Sequence, residues 1–300
     1  MKVSIYKSEV KGKAIAPSSK SYTIRGLMCA ALAKSESKIV YPLNSDDTQA
    51  AINVLRQIGV RIYQEEDSWR VTGGDFHRPD TGLFCGESAA TLRFMTALCS
   101  IVPGKCRLAL GPSLTRRPIT PLIQALGQLG VNSSCQGGDS ASIIVEGDGL
   151  RGGVAKLPGD ISSQFISALL LVSPLAEEGV KIKLTTQLES KPFVLMTLEC
   201  LKKFGISVQF SKDLREFVVS KQRYKPARYE VEGDWSSASY LLASGALSGE
   251  VEIENLNTES LQGDKVILDF LRNMGASIEI KRDSIKVRES RLRPIQADLS

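Results

Sequence analysis

Four short segments carry residues whose types and spacing suit the chemistry of small anions. In PSSKSYTIR, Lys20 and Ser21 fall at a strand-to-helix loop and Arg25 follows about one helical turn later, so all three could face one ligand. Lysine offers a mobile point charge and arginine a bidentate fork. The competing reading is a capped amphipathic helix with solvated basic residues. In LGPSLTRRPITPL, Arg116 and Arg117 stand before Pro118, a residue suited to the first turn of a helix. Two arginines at a helix start oppose its dipole, which costs energy unless an anion compensates. QLESKPFVLM repeats the theme with Ser190 and Lys191 before Pro192. PGDISSQF gathers Ser162, Ser163 and Gln164, two hydroxyls and an amide able to wrap a phosphate or a sugar-like ring. No Walker A pattern occurs, so a nucleotide P-loop is not implied.

The elements that must position these residues form an internal repeat. AAINVLRQIGVRI, LIQALGQLGVNS, TLECLKKFGISV and ILDFLRNMGASI each show helical apolar spacing closed by a glycine: Gly59, Gly130, Gly205 and Gly275, at intervals of 71, 75 and 70. A glycine there suits the left-handed position that ends a helix, and a β-hairpin is expected after each. Upstream lie PSSKSYTIRGLM, CGESAATLRFM, PGDISSQFISALL and EGDWSSASYLLA, each read as a loop opening another helix. The unit is therefore strand, helix, strand, helix, strand, strand, four times over, with boundaries near 83, 154 and 228. Serine or threonine is expected to open every first helix, and Arg25 and Arg93 recur at matching places. A capped helix start satisfies an orphan amide, and the remaining free N–H groups with the dipole attract anions. If symmetry points these helix ends at one place, that place attracts phosphate.

Composition narrows the class. The 300 residues, 42% hydrophobic and 24% charged, are ordinary for a globular chain, and the length allows two domains. A net charge of +5 comes from scattered residues rather than a basic stripe, which favours small anions over nucleic acid. Six cysteines without a CxxC pair read as reduced, mostly buried thiols. A single histidine, His77, excludes two-histidine zinc sites and is read as a surface turn in GGDFHRPD. Neither a signal peptide nor a stretch near the ~20 apolar residues of a membrane span is present, and a cytoplasmic location is expected.

Seven segments in order, PSSKSYTIR, CGESAATLRFM, LTRRPI, DISSQF, ESKPF, VEGDWSSASYLLA and SLQGDKVILDFLRNMGA, resemble the enolpyruvyl transferases, and among them the 5-enolpyruvylshikimate-3-phosphate synthases. The resemblance implies transfer of the enolpyruvyl group of phosphoenolpyruvate to the 5-hydroxyl of shikimate 3-phosphate, with loss of phosphate and with neither metal nor organic cofactor. It implies that Lys20 touches both substrates and assists proton transfer. Ser21, Arg25, Ser162, Ser163, Gln164 and Ser190 would hold shikimate 3-phosphate. Arg117, the backbone at Ala89, Arg93 and a shared Gln164 would meet phosphoenolpyruvate.

The implied fold is an inside-out α/β (α+β) architecture of two domains, each of three βαβαββ repeats. Residues 20–228 would form a complete domain (about 20–83, 84–154 and 155–228), and 1–19 with 229–300 a partial second one. A catalytic aspartate is then expected beyond Ser300, and the full-length enzyme is expected to be a monomer. Ala89 stands where many members carry glycine, which suggests reduced glyphosate sensitivity, and Phe193 where tyrosine is common. An inactive fragment or anion-binding module is the alternative. The UDP-N-acetylglucosamine branch fits less well, because no cysteine lies in PSLTRRP. RNA 3′-phosphate cyclases need a histidine nucleophile, which His77 does not suit.

Overall fold

The computed structural model describes residues 3, 4, 6, 8–137, 142–281 and 284–297. The chain divides into a larger unit, Lys20–Val231, and a smaller one made of the residues up to Ser19 and from Glu232 onward. It enters on β1 (Val10–Ile15) and then builds the larger unit in three similar passes. The first runs α1 (Lys20–Leu32), β2 (Ser37–Val40), α2 (Asp46–Gln57), β3 (Arg61–Gln64) and β4 (Ser68–Thr72). The second is β5 (Leu83–Phe84), α3 (Ala89–Leu98), β6 (Gly104–Ala109), α4 (Thr120–Gln128), β7 (Asn132–Gln136) and β8 (Ser142–Gly147). The third is β9 (Gly153–Leu157), α5 (Ser163–Val172), β10 (Val180–Leu184), α6 (Lys191–Lys203), β11 (Gln209–Phe210) and β12 (Glu216–Val219). After β13 (Arg228–Glu230), a fourth pass gives the smaller unit α7 (Trp235–Ser248), β14 (Gly249–Glu254), α8 (Ile267–Met274), β15 (Ser277–Ile280) and β16 (Ser284–Arg288).

Among the described residues these strands make four four-stranded sheets of one design: β13-β2-β4-β3, β5-β6-β8-β7, β9-β10-β12-β11 and β1-β14-β16-β15. The strand after each first helix has a parallel neighbour on one side and an antiparallel hairpin on the other. Two parallel neighbours come from across the unit boundary in sequence. β1 precedes α1 yet pairs with β14, Val10 opposite Gly249 through Ile15 opposite Glu254. β13 precedes α7 yet pairs with β2, Arg228 opposite Lys38. That pairing carries the larger unit to Val231, three residues beyond the boundary expected at 228.

The repeat glycines do the work expected of them: Gly59, Gly130, Gly205 and Gly275 have φ of +103°, +90°, +79° and +95°, the left-handed conformation that stops each second helix. α1, α3 and α5 are largely apolar and buried on every side, throughout Tyr22–Leu32, Thr91–Leu98 and Phe165–Val172. A helix of that kind belongs inside, whereas α2 and α4 bury only a stripe, Ala51, Ile52, Val54 and Leu55 in the first and Leu122, Ala125 and Leu126 in the second. α3 packs on both α1 and α5, so the core of the larger unit is helical with the sheets around it. Each fully buried leucine such as Leu27 or Leu169 contributes about 1.5–3 kcal/mol.

Two local expectations fail. Serine caps α3 and α5, with Ser88 Oγ accepting from Thr91 N at 3.4 Å and Ser162 Oγ from Gln164 N at 3.3 Å. α7 instead is capped by Asp234, which accepts from Ser237 N at 2.7 Å and leaves Ser236 and Ser237 in the first turn. A carboxylate is as good a cap as a hydroxyl and suits the dipole better. Pro118 likewise does not open α4. That helix begins at Thr120 with Pro121 in its first turn, while Arg117 N closes a preceding turn on Leu114 O at 3.0 Å. Arg116 and Arg117 therefore lie on a loop before the helix, outside its first turn.

Candidate functional site

The six α-helices among the described residues of the larger unit start at one end of it, and side chains tie their starts together. Lys20, the first residue of α1, places Nζ 2.9 Å from Oδ2 of Asp47 in the first turn of α2. Asp47 O accepts from Thr91 Oγ1 in the first turn of α3 at 3.3 Å. From the second turn of α3, Arg93 Nη1 donates to Ser162 Oγ (3.0 Å) and Gln164 Oε1 (2.6 Å) at the start of α5, and Nη2 reaches Pro118 O, just before α4, at 3.5 Å. From the second turn of α1, Arg25 Nη2 donates to Phe193 O in the first turn of α6 at 3.1 Å. Six sets of orphan amides and six positive dipole ends thus share one end of the unit, an environment that favours an anion.

The two arginines there are sheltered. Arg93 is 8% exposed and its guanidinium lies 5.0 Å from the Phe165 ring centroid. Burial, and then the like charge of Arg117, lower its pKa from the ordinary value. Arg25 is 2% exposed between the rings of Phe94 and Phe193, with Nε donating to Thr197 Oγ1 at 2.8 Å and Nη1 to Ser21 O at 3.0 Å. Burial lowers its pKa as well. Neither arginine forms an ion pair with a carboxylate among the described residues. A buried cation without a counter-ion is costly, and a bound anion relieves that cost.

The structure brings most of the sequence-derived residues to this end. Lys20 is half exposed beside Asp47, Ser21 is half-buried, and Ala89 is the first residue of α3. Ser162 caps α5, Ser163 is buried as its first residue and Gln164 is held by Arg93. Ser190 precedes α6 in a left-handed conformation, φ 52° and ψ 43°, with Lys191 opening the helix. Arg117 and Arg116 are exposed on the loop before α4. Arg25 is drawn inward rather than solvated, 2% exposed, with Nη1 on the Ser21 carbonyl at 3.0 Å. His77 is an exposed loop residue, and five of six cysteines are buried thiols, Cys135 being the exposed one.

Three contributors escaped the sequence reading. Asp47 has only a helix-start signature, Ser45 capping an acidic first turn. Thr197 reads as one more buried position of α6, yet its Oγ1 receives Arg25 and lies 2.8 Å from Ser167 Oγ. Glu87 Oε2 accepts from Ser113 N at 3.0 Å across 26 residues of sequence. Among the described residues no cluster of His, Cys, Asp and Glu could hold a metal ion, and no helix is long and apolar enough to cross a membrane.

The architecture recurs in solved structures of one class. The enolpyruvyl transferase NikO from Streptomyces tendae superposes with a TM-score of 0.73 at 17% identity, over 95% of this chain and 68% of that one. EPSP synthase from Acinetobacter baumannii gives 0.78 at 22% identity, over 93% of this chain and 65% of that one. The fold is that of the enolpyruvyl transferases. Sequence narrows the class: the family model for EPSP synthase (3-phosphoshikimate 1-carboxyvinyltransferase) matches residues 6–300. The 3-phosphoshikimate 1-carboxyvinyltransferase of Dehalococcoides mccartyi strain 195 is 47% identical over 302 aligned positions, covering 100% of this chain and 71% of that protein. That of Methanocaldococcus jannaschii is 40% identical over 296, covering 97% and 69%. The chain belongs to the EPSP synthase family, and it spans about seven tenths of the length of these relatives.

Proposed function

We propose that the Lys20–Val231 unit supplies one half of a binding site for shikimate 3-phosphate and phosphoenolpyruvate, and that the polypeptide transfers the enolpyruvyl group from the second to the first. The observation that carries this is the convergence of six helix starts linked through Lys20, Asp47, Thr91, Arg93, Ser162, Gln164 and Arg25. In this reading Ser162, Ser163, Gln164, Ser21 and Ser190 hold shikimate 3-phosphate through hydroxyl and amide hydrogen bonds. Arg25 contributes the two N–H groups that its three protein contacts leave over from the five of a guanidinium. Phosphoenolpyruvate lies at the first turn of α3, on the backbone at Ala89, with Arg93 and Arg117 opposite its charges and Gln164 shared. Lys20 exchanges Asp47 for the ligands and assists proton transfer as the 5-hydroxyl oxygen adds to the enol carbon. The tetrahedral adduct then loses phosphate, and the methyl proton gained in the addition leaves to restore the double bond. No metal or organic cofactor takes part, the second acid–base group comes from elsewhere in the polypeptide, and the full-length protein is a cytoplasmic monomer.

Calorimetric titration with shikimate 3-phosphate, and then with phosphoenolpyruvate, tests the binding half, and release of inorganic phosphate from the mixture tests turnover. Saturable binding of both ligands is expected, and its absence would overturn the proposal. The relatives' greater length favours one second reading, an anion-binding portion that does not turn over alone. Binding without phosphate release selects that reading.

A further inference from the structure

Two side chains of opposite charge, both from the start of α3, hold one loop at its two ends. Arg93 holds the end, reaching Pro118 O at 3.5 Å. Glu87, two residues ahead of the helix, holds the beginning, accepting through Oε2 from Ser113 N at 3.0 Å and from Ser113 Oγ. The backbones approach closely at the same place. A Cβ on Gly111 would lie 2.4 Å from Glu87 Oε1 and 2.5 Å from Gly86 O, so the contact requires glycine. Within the loop Leu114 N closes on Gly111 O (2.9 Å), Arg117 N on Leu114 O (3.0 Å) and Thr115 Oγ1 on Pro112 O (2.9 Å). Three residues, Ser113 to Thr115, are thereby locked into successive turns, and what they carry outward is the exposed pair Arg116 and Arg117.

The charge of Glu87 needs explaining on its own. A carboxylate next to helix starts and arginines works against anion binding, since it lowers the potential that Arg93 and Arg117 raise. Its return is mechanical: a carboxylate accepting one N–H and one O–H makes two charge-assisted hydrogen bonds, about twice as strong as neutral ones, to a single residue. We propose that Glu87 is a positioning residue, whose grip on Ser113 fixes loop 111–118 and so sets where Arg117 meets the anionic ligand. The inference rests on the reading that Arg117 binds phosphoenolpyruvate.

Glu87→Ala, Glu87→Gln and Ser113→Ala in the 300-residue chain test it by two measurements, amide hydrogen exchange over 111–118 and titration with phosphoenolpyruvate. Glu87 and Ser113 are exposed, so the melting temperature and the protection of α5 are expected to stay at wild-type values. In Glu87→Ala the Ser113, Leu114 and Arg117 amides are expected to exchange roughly 10-fold faster and phosphoenolpyruvate to bind roughly 10-fold more weakly, the effect of losing a charge-assisted hydrogen bond. Ser113→Ala keeps the N–H contact and should lose about half as much on the logarithmic scale. Glu87→Gln keeps an acceptor oxygen and removes the opposing charge, so its affinity should return to within a few-fold of wild type or exceed it. Unchanged exchange in Glu87→Ala, faster exchange with unchanged affinity, or a glutamine variant as weak as alanine would each overturn the positioning role. Failure of the wild-type chain to bind phosphoenolpyruvate at all would instead overturn the functional reading beneath it.

Discussion

Arg93 Nη1 stands 3.0 Å from Ser162 Oγ and 2.6 Å from Gln164 Oε1, so one nitrogen on α3 serves both the cap and the second residue of α5. The same Ser162 oxygen accepts from its own helix at Gln164 N. Arg93→Met is therefore expected to strand Gln164 Oε1, leave Ser162 Oγ with only its bond from Gln164 N, and lower stability by about 1–3 kcal/mol in urea unfolding. Phosphoenolpyruvate binding should weaken at least about 10-fold, and Arg93→Lys should recover part of the stability but little of the affinity, because an ammonium cannot reproduce the fork. Wild-type affinity in Arg93→Met would remove this residue from the site.

The Lys20–Asp47 pair predicts the opposite balance. Both side chains are partly exposed, so Asp47→Asn and Lys20→Met should each change stability by less than about 1 kcal/mol. Lys20→Met should nevertheless abolish measurable binding of shikimate 3-phosphate, whereas Asp47→Asn, which leaves Lys20 free, should not. A lysine variant that binds normally would reduce the pair to a surface contact.

Ser190 is a non-glycine residue at φ 52°, with no capping hydrogen bond from its side chain. The left-handed conformation costs an L-residue about 1–2 kcal/mol that glycine does not incur. Ser190→Gly is expected to raise the urea midpoint while weakening shikimate 3-phosphate binding through the missing hydroxyl. Stability and affinity moving in the same direction would show that the strain serves no ligand.

Burial pushes the Cys85 thiol up to about 12. The folded state thus keeps its proton where the unfolded chain releases it. The stability this provides is fully present below the ordinary thiol value of about 8.5 and is lost by about 1.4 kcal/mol per pH unit as pH rises toward 12. Unfolding followed from pH 8 to 11 should show that decline, and Cys85→Val should make it shallower without removing it, because burial also raises Cys29, and the Cys106 contact together with burial raises Cys99. In the native state below pH 9, thiol reagents should modify Cys135 alone.

Much of this was legible because it is local. Gly59, Gly130, Gly205 and Gly275 announce helix ends since glycine alone takes their φ without strain, and Ser88 and Ser162 announce helix starts through the amides they cap. The same local logic misread Pro118: Pro121, three residues on, fits the first helical turn equally well, and only the turn closed by Arg117 N on Leu114 O decides between them. Partners far apart in sequence left no trace. Nothing around Asp47 names Lys20, and nothing around Arg25 says that Thr197, 172 residues away, draws its guanidinium into the core. A cation in a helix flanked by small and apolar residues reads as a binding group whether it faces a ligand or its own fold.

The pairing of β1 with β14 has a consequence in time. Ile15 leaves the ribosome long before its partner: Glu254, at the end of β14, follows 239 positions later. At the usual ~5–20 residues per second, that is on the order of 10–50 s of synthesis. Through that interval Val10, Ala14 and Ile15 belong to a strand with no neighbour, while β13 lets the larger unit close its own sheets some twenty residues before β14 appears. Among the described strands β1 is thus made before all the others yet placed only when β14 emerges, and until then the nascent chain carries a strand whose backbone groups have no partner strand.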